Sequence, residues 1–443
     1  MKNLTIGKPL KVIILFALPL YIGQMFQLAY SLIDTRIIGS ALGENSLAAV
    51  GATTTLSDML IEFINGIIAG FGIIISTFYG ADDEGKLKKT IGGTVILGVA
   101  AAVIISIASL LFLPQILGVL NVSDALMAEA SAYIRIILAG MVAAALYNIC
   151  AAILRAIGDS FTPLVFLVIS NILNVALDYL CILYFDMGVA GAAAATVFSQ
   201  ALSAFLCFLY MRKKYRNIMP AMEGMKPDRE IYGRLLPTGI SMGFMISFVT
   251  LGSLALQTSI NTFGTNIIVA HTAARKATSL FLTPFFVMGT ALATYCGQNL
   301  GAKEYGRIKK GIKDTVLLAF GWCAIVLAVI FLLSPQIIGL ITASSEREII
   351  DTAALYLRIN GVFYFLPALI CIFRNSMQGF GDKKTPLFSS LIELIGKVVI
   401  AFLLAPVIGY MGVIISEPVV WVAMVLPLLV NMLKNPIFRQ TRE

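Results

Sequence analysis

The sequence predicts an all-α polytopic membrane protein, with twelve transmembrane helices arranged as two parallel six-helix repeats, and three observations carry that reading. The 443-residue chain is 59% hydrophobic and only 13% charged, about half the charge of an ordinary soluble protein. Twelve apolar stretches reach the roughly 20 residues that cross a bilayer. Motifs at the ends of the first six stretches return in order in the last six. The same composition excludes a disordered chain, a nucleic-acid reader and a secreted disulfide scaffold, which need charge, low hydrophobicity or dense cysteine.

The stretches lie at 11–36, 47–79, 91–117, 131–154, 162–185, 189–211, 235–260, 267–298, 312–340, 352–377, 386–409 and 412–434. The first runs past Pro19 to about Ile33, too long for the apolar region of a cleaved leader, so it reads as a membrane helix. The second carries Glu62. The fourth carries the Tyr133-Ile134-Arg135-Ile136 motif that returns in the tenth. In the fifth, Asn171, Asn174 and Asp178 recur at spacings of three and four, which places them on one helical face. The sixth opens with small residues, Gly191 to Ala195, that permit close helix approach, and continues with a polar stripe of Thr196, Ser199, Gln200 and Ser203.

In the second half, the seventh stretch offers Gln257 and the eighth His271, Arg275 and Lys276. The ninth is apolar. The tenth contains Asn360, Arg374 and Asn375, the eleventh Glu393 and Lys397 one helical turn apart, and the twelfth Glu417 before Pro418. All six cysteines lie inside apolar stretches, where a free thiol behaves as a small hydrophobe, so neither a disulfide nor a metal site is expected.

Basic residues give the orientation. They crowd into the amino terminus, the 2–3, 6–7, 8–9 and 10–11 loops and the tail, while the alternate loops hold only Arg36 and Arg347. Cytoplasmic loops carry such an excess, so both termini are expected on the cytoplasmic side of a bacterial-type plasma membrane. The net charge of +8 then reports an anionic inner leaflet and no polyanionic partner.

The internal repeat is direct. Gly80 to Lys89 aligns with Gly301 to Lys310, and Pro114-Gln115-Ile116 returns as Pro335-Gln336-Ile337. Tyr133-Ile134-Arg135-Ile136 matches Tyr356-Leu357-Arg358-Ile359, and Gly158-Asp159 with Thr162-Pro163 matches Gly381-Asp382 with Thr385-Pro386. Six spans per half make the repeats parallel. The expected organisation is an amino-terminal lobe at 1–215, a cytoplasmic linker at 216–234 and a carboxy-terminal lobe at 235–443, with a substrate cavity between the lobes.

The repeated Gly-Asp-x-x-Thr-Pro reads as a turn, an aspartate cap and a proline in the next helix's first turn. Gly379-Phe380-Gly381-Asp382 also spells the Gly-x-Gly-Asp of intramembrane aspartyl proteases, but Asp382 sits beside Lys383 and Lys384 in an expected loop, so the capping reading is preferred. No nucleophile, metal cluster or phosphate loop suggests an enzyme.

Together these features resemble the MATE family of multidrug and toxic compound extrusion transporters, over essentially the whole chain. The resemblance rests on the two six-span halves, Pro19 with Asp34-Thr35 in span 1, Tyr79-Gly80-Ala81, Leu154 to Asp159 with Thr162-Pro163, and Asn174 with Asp178. It implies cation-coupled export. The pattern of the DinF-type branch puts a cation or proton site in the amino lobe, here on Asp34, Asn174, Asp178, Ala192 and Thr196. The NorM-type pattern has acidic residues in spans 7 and 10, where this chain has only Gln257, Asn360 and Asn375.

The residues by themselves agree. An ionised carboxylate inside hydrocarbon costs several kcal/mol unless protonated, paired or cation-bound, and that singles out Asp34 and Asp178. The alternative for Asp34 is a wet span end, with Arg36 two residues on. Pro19 marks a kink that cation binding could bend. In the carboxy half, Gln257, His271, Arg275, Lys276, Arg374 and Lys397 are candidate cavity residues for an anionic or zwitterionic group, with Glu393 and Lys397 expected to pair within their helix.

The expected function is therefore secondary antiport, exporting small organic or amphiphilic compounds as sodium or protons enter. The alternative is a flippase for a lipid-linked saccharide, whose pyrophosphate would suit basic cavity residues. No cofactor is expected beyond the coupling sodium ion or proton, no metal beyond sodium at Asp34, Asn174, Asp178 and Thr196, no nucleic-acid partner, and a monomer in the bilayer.

Overall fold

A backbone that crosses hydrocarbon must satisfy its own hydrogen bonds, and among the described residues this chain does so with helices alone. The computed structural model describes residues 3–119, 122–220, 226–342 and 346–439. In the first half lie α1 (Pro9–Leu42), α2 (Glu44–Gly80), α3 (Glu84–Leu111), the short α4 (Leu113–Val119), α5 (Asp124–Ala139), α6 (Met141–Ala156), α7 (Phe161–Tyr179) and α8 (Gly188–Lys214). The second half has α9 (Arg229–Ile260), α10 (Thr265–Gly301), α11 (Tyr305–Thr342), α12 (Arg347–Val362), α13 (Phe365–Gly379), α14 (Lys384–Val399), the short α15 (Ala405–Ile408), α16 (Tyr410–Lys434) and the terminal turn α17 (Pro436–Arg439).

Among the described residues, eleven helical segments are long and apolar enough to cross a membrane, and a bent pair makes a twelfth. The bent pair, α12 with α13, corrects the continuous span expected at 352–377: the two helices meet at 55°. The break falls where Tyr364 turns into Thr278, their hydroxyls 2.9 Å apart. Span 1 is also longer than expected, because α1 continues to Leu42 and leaves Asp34 two turns inside the helix.

The repeat written in the sequence returns in the backbone. Gly43 and Gly264, which precede α2 and α10, both have φ of 88°. Asp82 and Lys303 occupy the left-handed region at 55° and 60°, and Gly158 and Gly381 at 87° and 92°. A π turn follows α7 at Leu180–Tyr184 and another follows α14 at Ile400–Leu404. The repeated aspartates cap as expected: Asp159 accepts from the Thr162 backbone and hydroxyl at 3.0 and 2.7 Å, and Asp382 from the Lys384 and Thr385 amides at 3.0 and 3.1 Å.

The chain packs into two compact units, 1–3 with 18–243 and 4–17 with 244–443. These boundaries differ from a cut at the 216–234 linker: they fall inside α1 and α9. The first unit takes the opening turns of α9 because glycines bring backbones together. A Cβ on Gly66 would lie 2.8 Å from the Gly243 Cα, and one on Gly70 2.8 Å from the Gly239 Cα. Lys86 with Glu230 at 3.2 Å and Lys89 with Asp228 at 2.9 Å hold the same turns at the surface. The second unit takes residues 4–17 in the corresponding way. Arg307 donates to the carbonyls of Gly7 and Leu4 at 2.7 and 3.2 Å, and the Leu4 amide donates to Gln298 at 2.9 Å.

Helix contact at Gly66 and Gly70 leaves no room for a side chain, so overpacking should be costly there. Gly70→Leu is expected to destabilise by about 1–3 kcal/mol, whereas Gly51→Ala on the same helix, with open space around it, should be neutral. Thermal unfolding of the two variants in detergent checks the difference.

Candidate ion-coupling site

Five residues expected to form an amino-lobe site come together within the first unit. Asn174 and Asp178, one turn apart on α7, are buried, with Asp178 fully inaccessible. Ala192 and Thr196 face them from α8, and Asp34 from α1. The Asn174 amide is the centre of the cluster. It bonds the Tyr30 hydroxyl, and in the orientation that satisfies its neighbours its nitrogen donates to Asp178 Oδ2 at 3.1 Å while its oxygen accepts from the Thr196 amide at 2.9 Å. The Thr196 hydroxyl donates to the Ala192 carbonyl at 3.0 Å.

The Asp34 and Asp178 carboxyls lie within hydrogen-bonding reach of each other. Asp178 Oδ1 is buried with no protein donor. Two carboxyls this close disfavour full ionisation of both, since like charges in a low-dielectric site repel strongly. The donor set suits a hard monovalent cation: two carboxyls, an amide, hydroxyls and a carbonyl. The site is held by tertiary packing, with Val189 and Ala192 of α8 in one apolar cluster with Ile37 and Ile38 of α1 and Tyr133 of α5 packed against it. A π turn begins two residues after Asp178, a local irregularity that recurs at functional positions in helices.

Sequence reasoning missed two residues here. Tyr30 stands one turn before Asp34, so helical spacing signalled it. Tyr133 on α5 sits in the electrostatic field of Asp34, Asp58 and Asp178. No spacing within its own helix reveals that, because three helices are involved. Of the span-6 polar stripe, Ser203 bonds across to the Phe166 carbonyl at 3.3 Å.

The carboxy half differs. Basic residues expected to be available for an anionic group are largely paired: Arg275 with Glu417 at 3.0 Å, Lys397 with Glu393 at 3.0 Å and with Glu417 at 3.8 Å, and Arg374 with Glu393 at 3.5 Å. Lys397 also donates to the Ser253 hydroxyl at 3.3 Å. Glu393 and Lys397 thus pair within their helix as expected, and each carboxylate also bridges to a second helix. His271 is buried, 3.1 Å from the Tyr410 hydroxyl and edge-on to Tyr356. Gln257 bonds Asn261 at 2.9 Å. Lys276 is exposed and has no ion pair among the described residues.

A duplicated set of membrane-length helices with charged side chains buried among them in both halves is the architecture of a polytopic membrane transporter. The MatE family model matches the chain twice, over residues 19–180 and 241–403, once in each half. The chain belongs to the MatE family. It is 30% identical over 306 residues to the probable multidrug resistance protein YpnP of Bacillus subtilis strain 168, covering 69% of this chain and 68% of that one. It is 28% identical over 399 residues to the probable multidrug resistance protein YoeA of the same strain, covering 88% and 86%. Among solved structures, an outward-facing multidrug resistance MATE family transporter of the MOP superfamily superposes with a TM-score of 0.90 at 25% identity, covering 100% of this chain and 99% of that one.

Removing one member of a buried charge cluster strands the others, at a cost of about 3–5 kcal/mol. Glu393→Ala should therefore unfold at a markedly lower temperature than wild type, and Glu393→Leu combined with Lys397→Met should recover much of the loss. A double-mutant cycle on thermal unfolding measures the coupling.

Proposed function

We propose that this chain is a cation-coupled antiporter that exports small organic or amphiphilic compounds while sodium or protons enter through a DinF-type site in the amino-terminal half. The observation that carries this reading is the fully buried Asp178, with one oxygen lacking a protein donor and Asp34 beside it. Such a group is expensive to keep unless something occupies it for part of a cycle. Tyr30, Asn174 and Thr196 orient the two carboxyls, and Ala192 anchors Thr196. The relatives named for multidrug resistance support the substrate class.

The chain acts as a monomer in a bacterial-type plasma membrane with both termini cytoplasmic, a reading supported by the basic loops, and performs no covalent chemistry. One cation entering gains about 2.3 kcal/mol per 100 mV, which at 1.4 kcal/mol per decade sustains a gradient of roughly fiftyfold in an uncharged substrate exchanged one for one. A lipid-linked pyrophosphate is a poorer fit, because Arg275, Arg374 and Lys397 already face Glu393 and Glu417.

Coupling needs a moving element, and α1 carries both Asp34 and Pro19. Proline within a helix removes one backbone bond and permits a bend, so occupation at Asp34 changes the course of α1 from Pro19 onward.

Dye efflux from proteoliposomes under an imposed sodium gradient, then a proton gradient, tests the coupling. Wild type should follow one gradient, and Asp178→Asn should lose at least tenfold in rate with its folding intact. Equal rates in the two proteins would remove the site from the mechanism. Pro19→Ala should slow efflux several-fold at an unchanged melting temperature, and a wild-type rate would end the bending idea.

A further inference from the structure

A cavity within the first unit shares no lining residue with the candidate ion-coupling cluster. It is a lateral groove of about 1020 Å³, at the upper end of the volumes that hold small molecules. Helix α6 forms its floor with Ala143, Ile149 and Ile153, and α3 forms one wall with Ile91 and Val95. The other wall is α8, where Ala201 and Ala204 leave space and Phe205 and Phe208 stand exposed at the rim.

The only charged side chains lining the groove are Arg212 and Arg216, both at its end nearest the linker. Among the described residues neither has an ion pair or hydrogen bond, whereas basic neighbours are engaged: Lys214 donates to the Tyr210 hydroxyl at 2.6 Å, and Lys86 and Lys89 pair with Glu230 and Asp228. From Ala201 to Arg212 the helix rises about 16 Å at 1.5 Å per residue. One leaflet of hydrocarbon is about 15 Å deep, half of a 30 Å core. Set in a bilayer, a groove of that length spans one leaflet, lined by apolar side chains along α6 and cationic at its mouth.

We propose that this groove is a binding site for an anionic phospholipid, with an acyl chain lying along α6 between α3 and α8 and the phosphate held by Arg212 and Arg216. Guanidinium groups suit this because their planar donor fork matches phosphate oxygens. A basic mouth on an apolar slot between membrane helices selects an anionic headgroup over a zwitterionic one. Assigning the lipid to the inner leaflet rests on the proposed orientation of the chain, and its class does not.

Native mass spectrometry of the full-length protein, delipidated in neutral detergent and then titrated with phosphatidylglycerol or phosphatidylcholine of the same acyl chains, tests the site. Wild type should retain one phosphatidylglycerol with at least a tenfold preference. Arg212→Gln with Arg216→Gln, surface changes that should leave folding intact, is expected to bring the preference close to one. Ala204→Trp, which fills the groove, should lose the bound lipid, with its melting temperature measured alongside. No preference in wild type, or an unchanged preference in the double arginine variant, would overturn the proposal. So would displacement of the lipid by glycerol phosphate alone, which would mark a simple anion site, or a change of oligomeric mass in Ala204→Trp with lipid retained, which would mark a contact between copies. Dye efflux measured on the same samples separates this site from coupling: lost efflux with intact lipid preference counts against antiport and leaves the lipid site standing.

Discussion

Hydrocarbon offers no hydrogen-bond partner, and that constraint shapes both the backbone and the few polar side chains of this protein. The backbone meets it by forming helices. The side chains meet it by finding one another: Asp34, Asn174 and Asp178 with Tyr30 in one half, Glu393, Glu417, Arg275, Arg374 and Lys397 in the other. The two solutions differ in kind. Salt bridges neutralise the carboxylates of the second half internally, while in the first half Asp178 meets an amide and a second carboxyl and no basic side chain among the described residues.

Duplication explains why both solutions sit at related places. In each half a polar pair lies in the last two turns before a π turn, Asn174 and Asp178 before Leu180–Tyr184 and Glu393 and Lys397 before Ile400–Leu404. The backbone irregularity is common to the halves, and the charges placed beside it have diverged. One half keeps an acid beside an amide and a second acid. In the other, a lysine on the same helix already occupies Glu393.

Glycine contacts decide which turns belong to which compact unit. Helices that approach through Gly66 and Gly70 gain close van der Waals packing without a hydrophobic driving force, the dominant means of association inside a bilayer. Small residues also shape the groove in the first unit: Ala143, Ala201 and Ala204 line it, and Arg212 and Arg216 at its end have no ion pair among the described residues.

Much of this was legible in the sequence, because helix formation in lipid is a local obligation and the motifs recur within one chain. Length and hydropathy set the spans, the repeated Gly-Asp-x-x-Thr-Pro set the caps, and spacing on α7 put Asn174 and Asp178 on one face. The resemblance supplied Ala192 and Thr196 as partners. Only the tertiary structure packed Tyr133 against the apolar cluster around Ala192, joined Arg275 to Glu417 142 residues away, bent the tenth span at Tyr364 and gave the opening turns of α9 to the first unit. Those features depend on which helix faces which, a choice made by side-chain shape and charge across distant segments, and no periodicity along a single helix records it.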